Sequence, residues 1–409
     1  MKVLFLISSF PKLSETFILN QLTGMIDNDV EIDILAWNEV KKTKQHKEVE
    51  SYKLIEKTTF INLPTRQLSR ILGATKIFLT HVWKNPRITF NTLNYQRYGK
   101  IIFNFRLIYA LPFFLKKEQY QAVICHYGPN GEVAAFFQEQ GKLSEKTFVF
   151  FHGHDITSFV KRWGNNIYRT LFRSKINILS VSELFKKELL NIGANPQLID
   201  VHHMGVNLNQ FSYVAPSSLM KEISFLSIGR LTEKKGLDIA IRTIAELNQR
   251  GISCHLDIIG EGELRGTLNE LIHELGLTEK VSLKGWQPQT EINQAIENTD
   301  ILLLLSKTAE NGDKEGIPVV LMESMARGKL VVGTNHSGIP ELLKDKKNGW
   351  VVPENNVDEA VNTIIKIVEN PELNERISIN ARKSVMEEFN IETLNKRLIE
   401  RCVAIDDQK

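Results

Sequence analysis

The chain has 409 residues, of which 42% are apolar and 24% charged, and a net charge of +3. That length exceeds one ordinary core and points to two domains of roughly 200 residues each, while the near-neutral balance argues against bulk nucleic-acid binding. Cys125, Cys254 and Cys402 lie far apart without metal-ligand spacing, which indicates a reducing compartment.

Residues 2–9 read as a buried strand. A signal peptide fits less well, because the apolar run is short and Pro11-Lys12 stand where a cleavage site would be. No run reaches the roughly 18 apolar residues of a membrane span, so the expected address is the cytoplasm. A helix pattern at 14–27 and a strand at 30–37 complete a β-α-β opening, the start of a doubly wound sheet. The connection holding Ser14, Glu15 and Thr16 follows the first strand, at the carboxyl edge where such sheets bind ligands. It also reads as a capped turn with Ser14 as N-cap.

Residues 65–117 carry ten Lys or Arg, ten aromatics and no Asp or Glu. Bases mixed with aromatics on helices suit an anionic membrane surface. Single-stranded nucleic acid and a helical insertion with a solvated basic face are the alternatives. Strand patterns return at 121–126, 147–151 and 176–181. The middle one runs into His152-Gly153-His154-Asp155, which sets an imidazole and a carboxylate at the ligand edge.

After a linker-like loop at 207–218 the alternation restarts. A strand at 223–228 leads into Gly229-Arg230-Leu231 and Lys235-Gly236, cations where a diphosphate would lie. Further strands are expected at 256–259, 281–285, 301–305, 330–333 and 348–353, with three helical patterns over 357–402. The strand 301–305 precedes Glu315-Gly316-Ile317-Pro318-Val319 and a helix expected to open at Pro318, where proline is well tolerated. Free N–H groups at such a helix start suit an anion, and Gly316 gives backbone room beside it. Glu323 follows Glu315 at on the order of 10 Å along the helix, the span from a hexose to a ribose across a pyrophosphate.

Gly229-Arg230-Leu231, Lys235-Gly236, Gly260-x-Gly262, Gly285, Glu315-Gly316-x-Pro318-(x4)-Glu323 and Gly338-x-x-Glu341 occur in an order and spacing that resemble retaining glycosyltransferases of family 4. The resemblance is strongest over 206–360 and absent as a motif over 40–120. It implies the α/β GT-B fold, two Rossmann-like doubly wound domains facing across a cleft, with a C-terminal helix returning to the first. The expected division is 1–206 for the acceptor side, 207–385 for the nucleotide sugar, and 386–409 for the returning helix.

The resemblance also implies roles. Glu315 would hold sugar hydroxyls and Glu323 the ribose. Arg230 and Lys235 would neutralise the diphosphate, and His152, with His154 as competitor, would face the donor sugar. Gly229, Gly316, Ile317, Pro318 and Val319 would contact the donor, and Ser14, Glu15, Thr16, His154 and Asp155 the acceptor side. The co-substrate would be a nucleotide-diphosphate sugar, with no metal and no other cofactor. Where many members carry a Gly-rich first loop, this chain has Phe10-Pro11-Lys12-Leu13-Ser14-Glu15-Thr16-Phe17, which resembles the exopolysaccharide subset of the colanic-acid type. The expected reaction moves a sugar, with retention, to a saccharide acceptor. The basic and aromatic stretch at 65–117 suggests that this acceptor is carried on a membrane lipid, such as a polyprenyl diphosphate, at the inner membrane face. A sugar-nucleotide epimerase, a non-catalytic nucleotide-sugar sensor and a membrane-surface scaffold are the competing classes.

Overall fold

The computed structural model describes residues 1–13, 15–40, 45–116, 118–216 and 222–403. The chain divides into two compact units, Met1–His202 with Asn395–Lys409, and His203–Leu394.

The first unit is built on β1 (Lys2–Phe10), β2 (Glu31–Glu39), β3 (Thr58–Phe60), β4 (Ala122–His126), β5 (Thr147–Phe151), β6 (Asn177–Ser180) and β7 (Ile199–Val201). They form one parallel sheet in the order β3-β2-β1-β4-β5-β6-β7. Every residue of β4 and β5 is buried, which is why they read as continuous apolar runs without alternation. The winding direction reverses between β1 and β4, and a doubly wound sheet binds ligands outside the carboxyl ends of the strands at that reversal. The basic and aromatic stretch folds as helices, including Gln67–Val82, Pro86–Asn91 and Arg106–Phe114, between β3 and β4. Asn395 Nδ2 donates to the Asn20 carbonyl, and Val403 O accepts from Lys146 Nζ at 2.8 Å.

The second unit has β8 (Ile223–Ile228), β9 (Cys254–Ile259), β10 (Val281–Gly285), β11 (Ile301–Leu304), β12 (Leu330–Thr334) and β13 (Trp350–Val352). Their order is β10-β9-β8-β11-β12-β13, again parallel, with the reversal between β8 and β11. Along β11 the side chains alternate between two cores: Ile301 and Leu303 pack on one face of the sheet, Leu302 and Leu304 on the other. Helices pack on both faces of this strand. Val206, just ahead of the linker-like loop, is tied to this unit by its pairing with Phe389 and Asn390.

Candidate functional site

Loops from four neighbouring strands meet at the carboxyl edge of the second sheet. The turn after β8 carries Gly229, Arg230, Lys234 and Lys235. Gly236 in that turn has φ +59°, and a Cβ there would lie 1.8 Å from the Leu305 carbonyl, so glycine is required for the turn to pass under β11. Gly229 has φ +155°, and a Cβ on it would meet Lys235 Cε at 2.7 Å. Its missing side chain is the space through which Lys235 reaches inward.

Glu315, on the loop after β11, is where these elements converge. Lys235 Nζ lies 3.2 Å from its Oε2, and Lys234 Nζ 3.8 Å from its Oε1. Burial pushes this carboxyl toward protonation, but Lys235 and Lys234 outweigh it and hold the group below the ordinary range. The backbone of Glu315 is fixed from the next strand. Its N–H donates to His336 Nε2 at 3.2 Å, and its carbonyl accepts from Ser337 Oγ. Since Nε2 accepts, the His336 proton is on Nδ1, which contacts Glu354 Oε1 at 2.8 Å beyond β13. With all these restraints in place, Glu315 Oε1 still accepts no hydrogen bond among the described residues although it is buried. A buried acceptor without a donor is costly, so a ligand hydroxyl is the natural partner.

The helix after this loop spans Val319–Ala326, with Pro318 as its N-cap. Pro318 therefore stands one position ahead of where the sequence puts it. Leu321 N–H turns back to the Pro318 carbonyl, and no side chain caps the helix, so the N–H groups of Val319 and Val320 have no intrahelical acceptor. Ile317 and Pro318 are buried, while Gly316 and Val319 are partly exposed. Gly316 is fixed against the chain, since its carbonyl would be 2.8 Å from a Cβ on Gly338. Glu323 lies on this helix, half-buried, and burial pushes its carboxyl up to about 7 against the pull of Arg327 and a hydrogen bond from Gln289. Arg230 is exposed, and its guanidinium makes no ion pair or hydrogen bond among the described residues. The edge thus carries a free guanidinium, an open helix start and an acceptor carboxylate.

The first unit collects a different set at its own reversal. His126 ends β4, and its Nδ1 lies 2.9 Å from Nε2 of His152, which follows β5. The rings of Phe17 and Tyr127 flank His152 at 4.6 and 4.8 Å. Tyr127 Oη donates to Glu15 Oε1 at 2.9 Å, which Lys12 Nζ also meets at 2.9 Å. His126 is fully buried and its Nε2 has no partner among the described residues. A proton on that nitrogen would be an orphaned buried donor, so the proton belongs on Nδ1 and is donated to His152 Nε2. Burial drives the His152 pKa down to about 3, and burial with the neighbouring His152 ring drives that of His126 well below normal.

Asp155 is buried and committed to the backbone. Its oxygens accept from the N–H groups of His152, Gly153 and Gly128 at 3.0 to 3.1 Å, and burial lifts its pKa to about 6 despite those bonds. It braces the β4 and β5 loops, with both oxygens engaged by backbone N–H groups. His154 is exposed, with Nδ1 2.7 Å from Ser158 Oγ. Glu15 is the N-cap residue of the Thr16–Asp27 helix; Ser14, expected in that role, lies outside the described residues.

Lys234, His336, Ser337, Glu354 and His126 belong to these constellations without having stood out in the sequence. Each follows or ends a strand at a carboxyl edge, and that position was the available signal.

Two family models cover most of the chain: Glycosyltransferase Family 4 over residues 14–210 and Glycosyl transferases group 1 over 214–384. The chain belongs to the family 4 glycosyltransferases and has the GT-B fold. Within that family it is 34% identical to the putative colanic acid biosynthesis glycosyltransferase WcaL of Salmonella typhimurium, over 97% of this chain and 98% of that one. It is 33% identical to the amylovoran biosynthesis glycosyltransferase AmsK of Erwinia amylovora over 98% of both. Among solved structures it resembles Anabaena HepE in complex with UDP, with a TM-score of 0.70, 18% identity and coverage of 98% and 99%. Sucrose-phosphate synthase of Thermosynechococcus elongatus is similar at a TM-score of 0.72, 14% identity and 98% of both chains.

Proposed function

We propose that the protein transfers a sugar, with retention, from a nucleotide-diphosphate sugar to a saccharide acceptor of bacterial exopolysaccharide synthesis. The acceptor is carried on a polyprenyl diphosphate at the inner face of the cytoplasmic membrane. The observation that carries the reading is the buried, unpartnered Oε1 of Glu315 beside two lysines, the unpaired Arg230 and an open helix start. A diphosphate needs positive charge that does not have to reorganise, and Arg230, Lys235 and the N–H groups of Val319 and Val320 supply it without a metal. Glu315 then takes sugar hydroxyls and Glu323 the ribose.

Retention follows from attack on the face the diphosphate leaves. The acceptor oxygen bonds to the anomeric carbon as the bond to the diphosphate oxygen breaks, and the departing phosphate takes the acceptor's proton. His152, neutral and aromatic-flanked, serves the sugar side as a hydrogen-bonding group with no net charge. The names of WcaL and AmsK support the exopolysaccharide assignment, and the HepE complex makes UDP-sugars the first donors to try.

The test is a panel of UDP-, GDP- and ADP-sugars read by thermal stabilisation, followed by turnover with the stabilising donor and analysis of the product anomer. One donor should stabilise the wild type, Glu323→Ala should abolish that shift, and turnover should survive a chelator. Complete loss with chelator overturns the metal-free step, an inverted product overturns retention, and conversion of donor without acceptor marks an epimerase.

A further inference from the structure

The Gln67–Val82 helix is apolar on two sides. Its inner side is packed: Ala74 is buried, and a Cβ on Gly73 would strike the Tyr109 hydroxyl at 2.1 Å. Its outer side carries Leu68, Leu72, Leu79 and Trp83, which at about 100° per residue fall within one narrow stripe. They are 77%, 71%, 58% and 88% exposed. Phe90 of the following helix, 59% exposed, stands edge-on to Phe78 at 5.6 Å. Together with Val82 and Pro86 these rings border a shallow apolar hollow of about 470 Å³. Side chains of this size rarely stand clustered in water without a partner.

The charge around the stripe has one sign. Lys76, Lys84 and Arg87 are exposed and form no ion pair among the described residues. At the chain's overall frequency of 48 Asp and Glu in 409 residues, a run the length of 65–117 would hold about six, and it holds none. A second copy meeting this face would set these cations against themselves. An anionic bilayer would neutralise them, take the leucines and Phe90 below its headgroups, and hold Trp83 at the level where indoles collect.

We propose that the outer face of the Gln67–Val82 and Pro86–Asn91 helices docks the protein on the surface of an anionic phospholipid bilayer, the first helix lying in the plane of the interface. This deepens the acceptor reading by naming the face that meets the lipid. Vesicle binding is measured without donor or acceptor, so either idea can fail alone.

The full chain is sedimented with phosphatidylcholine vesicles with and without phosphatidylglycerol. It should bind the anionic vesicles only, less so as salt rises. Leu79→Glu with Trp83→Glu should weaken binding more than about tenfold, and Lys76→Gln or Lys84→Gln about fivefold each. All four side chains are exposed, so the melting transition should be unchanged, which circular dichroism checks. Equal binding to neutral vesicles, or wild-type binding by the double variant, overturns the proposal. So does a wild-type dimer that Trp83→Glu dissociates in the absence of any vesicle binding.

Discussion

The two units bury carboxylates at equivalent edges of similar sheets and treat them in opposite ways. In the second, Glu315 faces Lys234 and Lys235 and is held in its charged form. In the first, Asp155 has only backbone N–H donors and is lifted to about 6, and the neighbouring imidazoles are pushed toward neutrality. The difference is the presence of cations: without a partner charge, burial decides. The lysine-paired Glu315, unlike Glu323 on the same edge, which burial lifts to about 7, keeps fixed charge where a polyanionic donor would lie. Imidazoles kept neutral by burial suit sugar hydroxyls, which a fixed charge there would have to desolvate.

The sharpest way to break that contrast is Glu315→Gln, which keeps the shape and removes the charge. A hydrogen bond to a charged group contributes about 1.5–3 kcal/mol, so kcat/KM should fall roughly 10- to 150-fold. Affinity for the free nucleoside diphosphate should hold or rise, because Lys235 loses its internal counter-ion while Lys234 keeps Asp313 at 3.0 Å. If calorimetry showed diphosphate binding falling in parallel with turnover, Glu315 would be part of the phosphate site and the assignment to the sugar would fail.

A smaller effect is expected from Arg230→Ala. This guanidinium is exposed and spends nothing on the fold, so the melting temperature should be unmoved, surface changes staying within about 0.5 kcal/mol. Nucleoside-diphosphate affinity should drop about tenfold, by loss of one charge-assisted contact. A loss of stability instead would mean that the arginine is structural.

The fold was legible because both sheets are parallel and buried, so strands such as Thr147–Phe151 and Ile301–Leu304 appear as uninterrupted apolar runs. β3 was not, since Thr58–Phe60 is a short edge strand of two threonines and a phenylalanine, none of them buried. The cluster at the second sheet's edge was legible because Arg230, Lys235, Glu315 and Glu323 keep a recognisable spacing along one stretch of chain. Lys234, His336, Ser337 and Glu354 were not, because what joins them to Glu315 is the adjacency of β8, β11, β12 and β13, which sequence distance conceals. Asp155 shows the converse. Its motif reads as an open carboxylate beside a histidine, and only the three N–H donors around it reveal a brace.

The smallest and most specific effect tests the neutrality of the first unit's imidazoles. Free histidine titrates near 6.5, whereas His126 is held well below that and His152 near 3. The unfolded chain therefore binds more protons than the folded one below about pH 6.5, and stability is lost as pH falls from there toward the folded values. Asp155, raised to about 6, and Glu132, raised to about 7, act in the opposite sense at mildly acid pH, so the wild-type profile alone is a difference of terms. His126→Asn isolates one of them. Its stability deficit relative to wild type should shrink by about 2 kcal/mol between pH 7 and pH 5, since a fully unmatched proton is worth about 1.4 kcal/mol per pH unit, as urea unfolding at each pH would measure. Nitrogen NMR of the wild type should show His152 protonated on Nδ1 throughout that range, because its Nε2 accepts from His126. A deficit independent of pH would mean that the His126 ring is solvated, and the contrast between a lysine-paired carboxylate and neutral imidazoles would then rest on His152 alone.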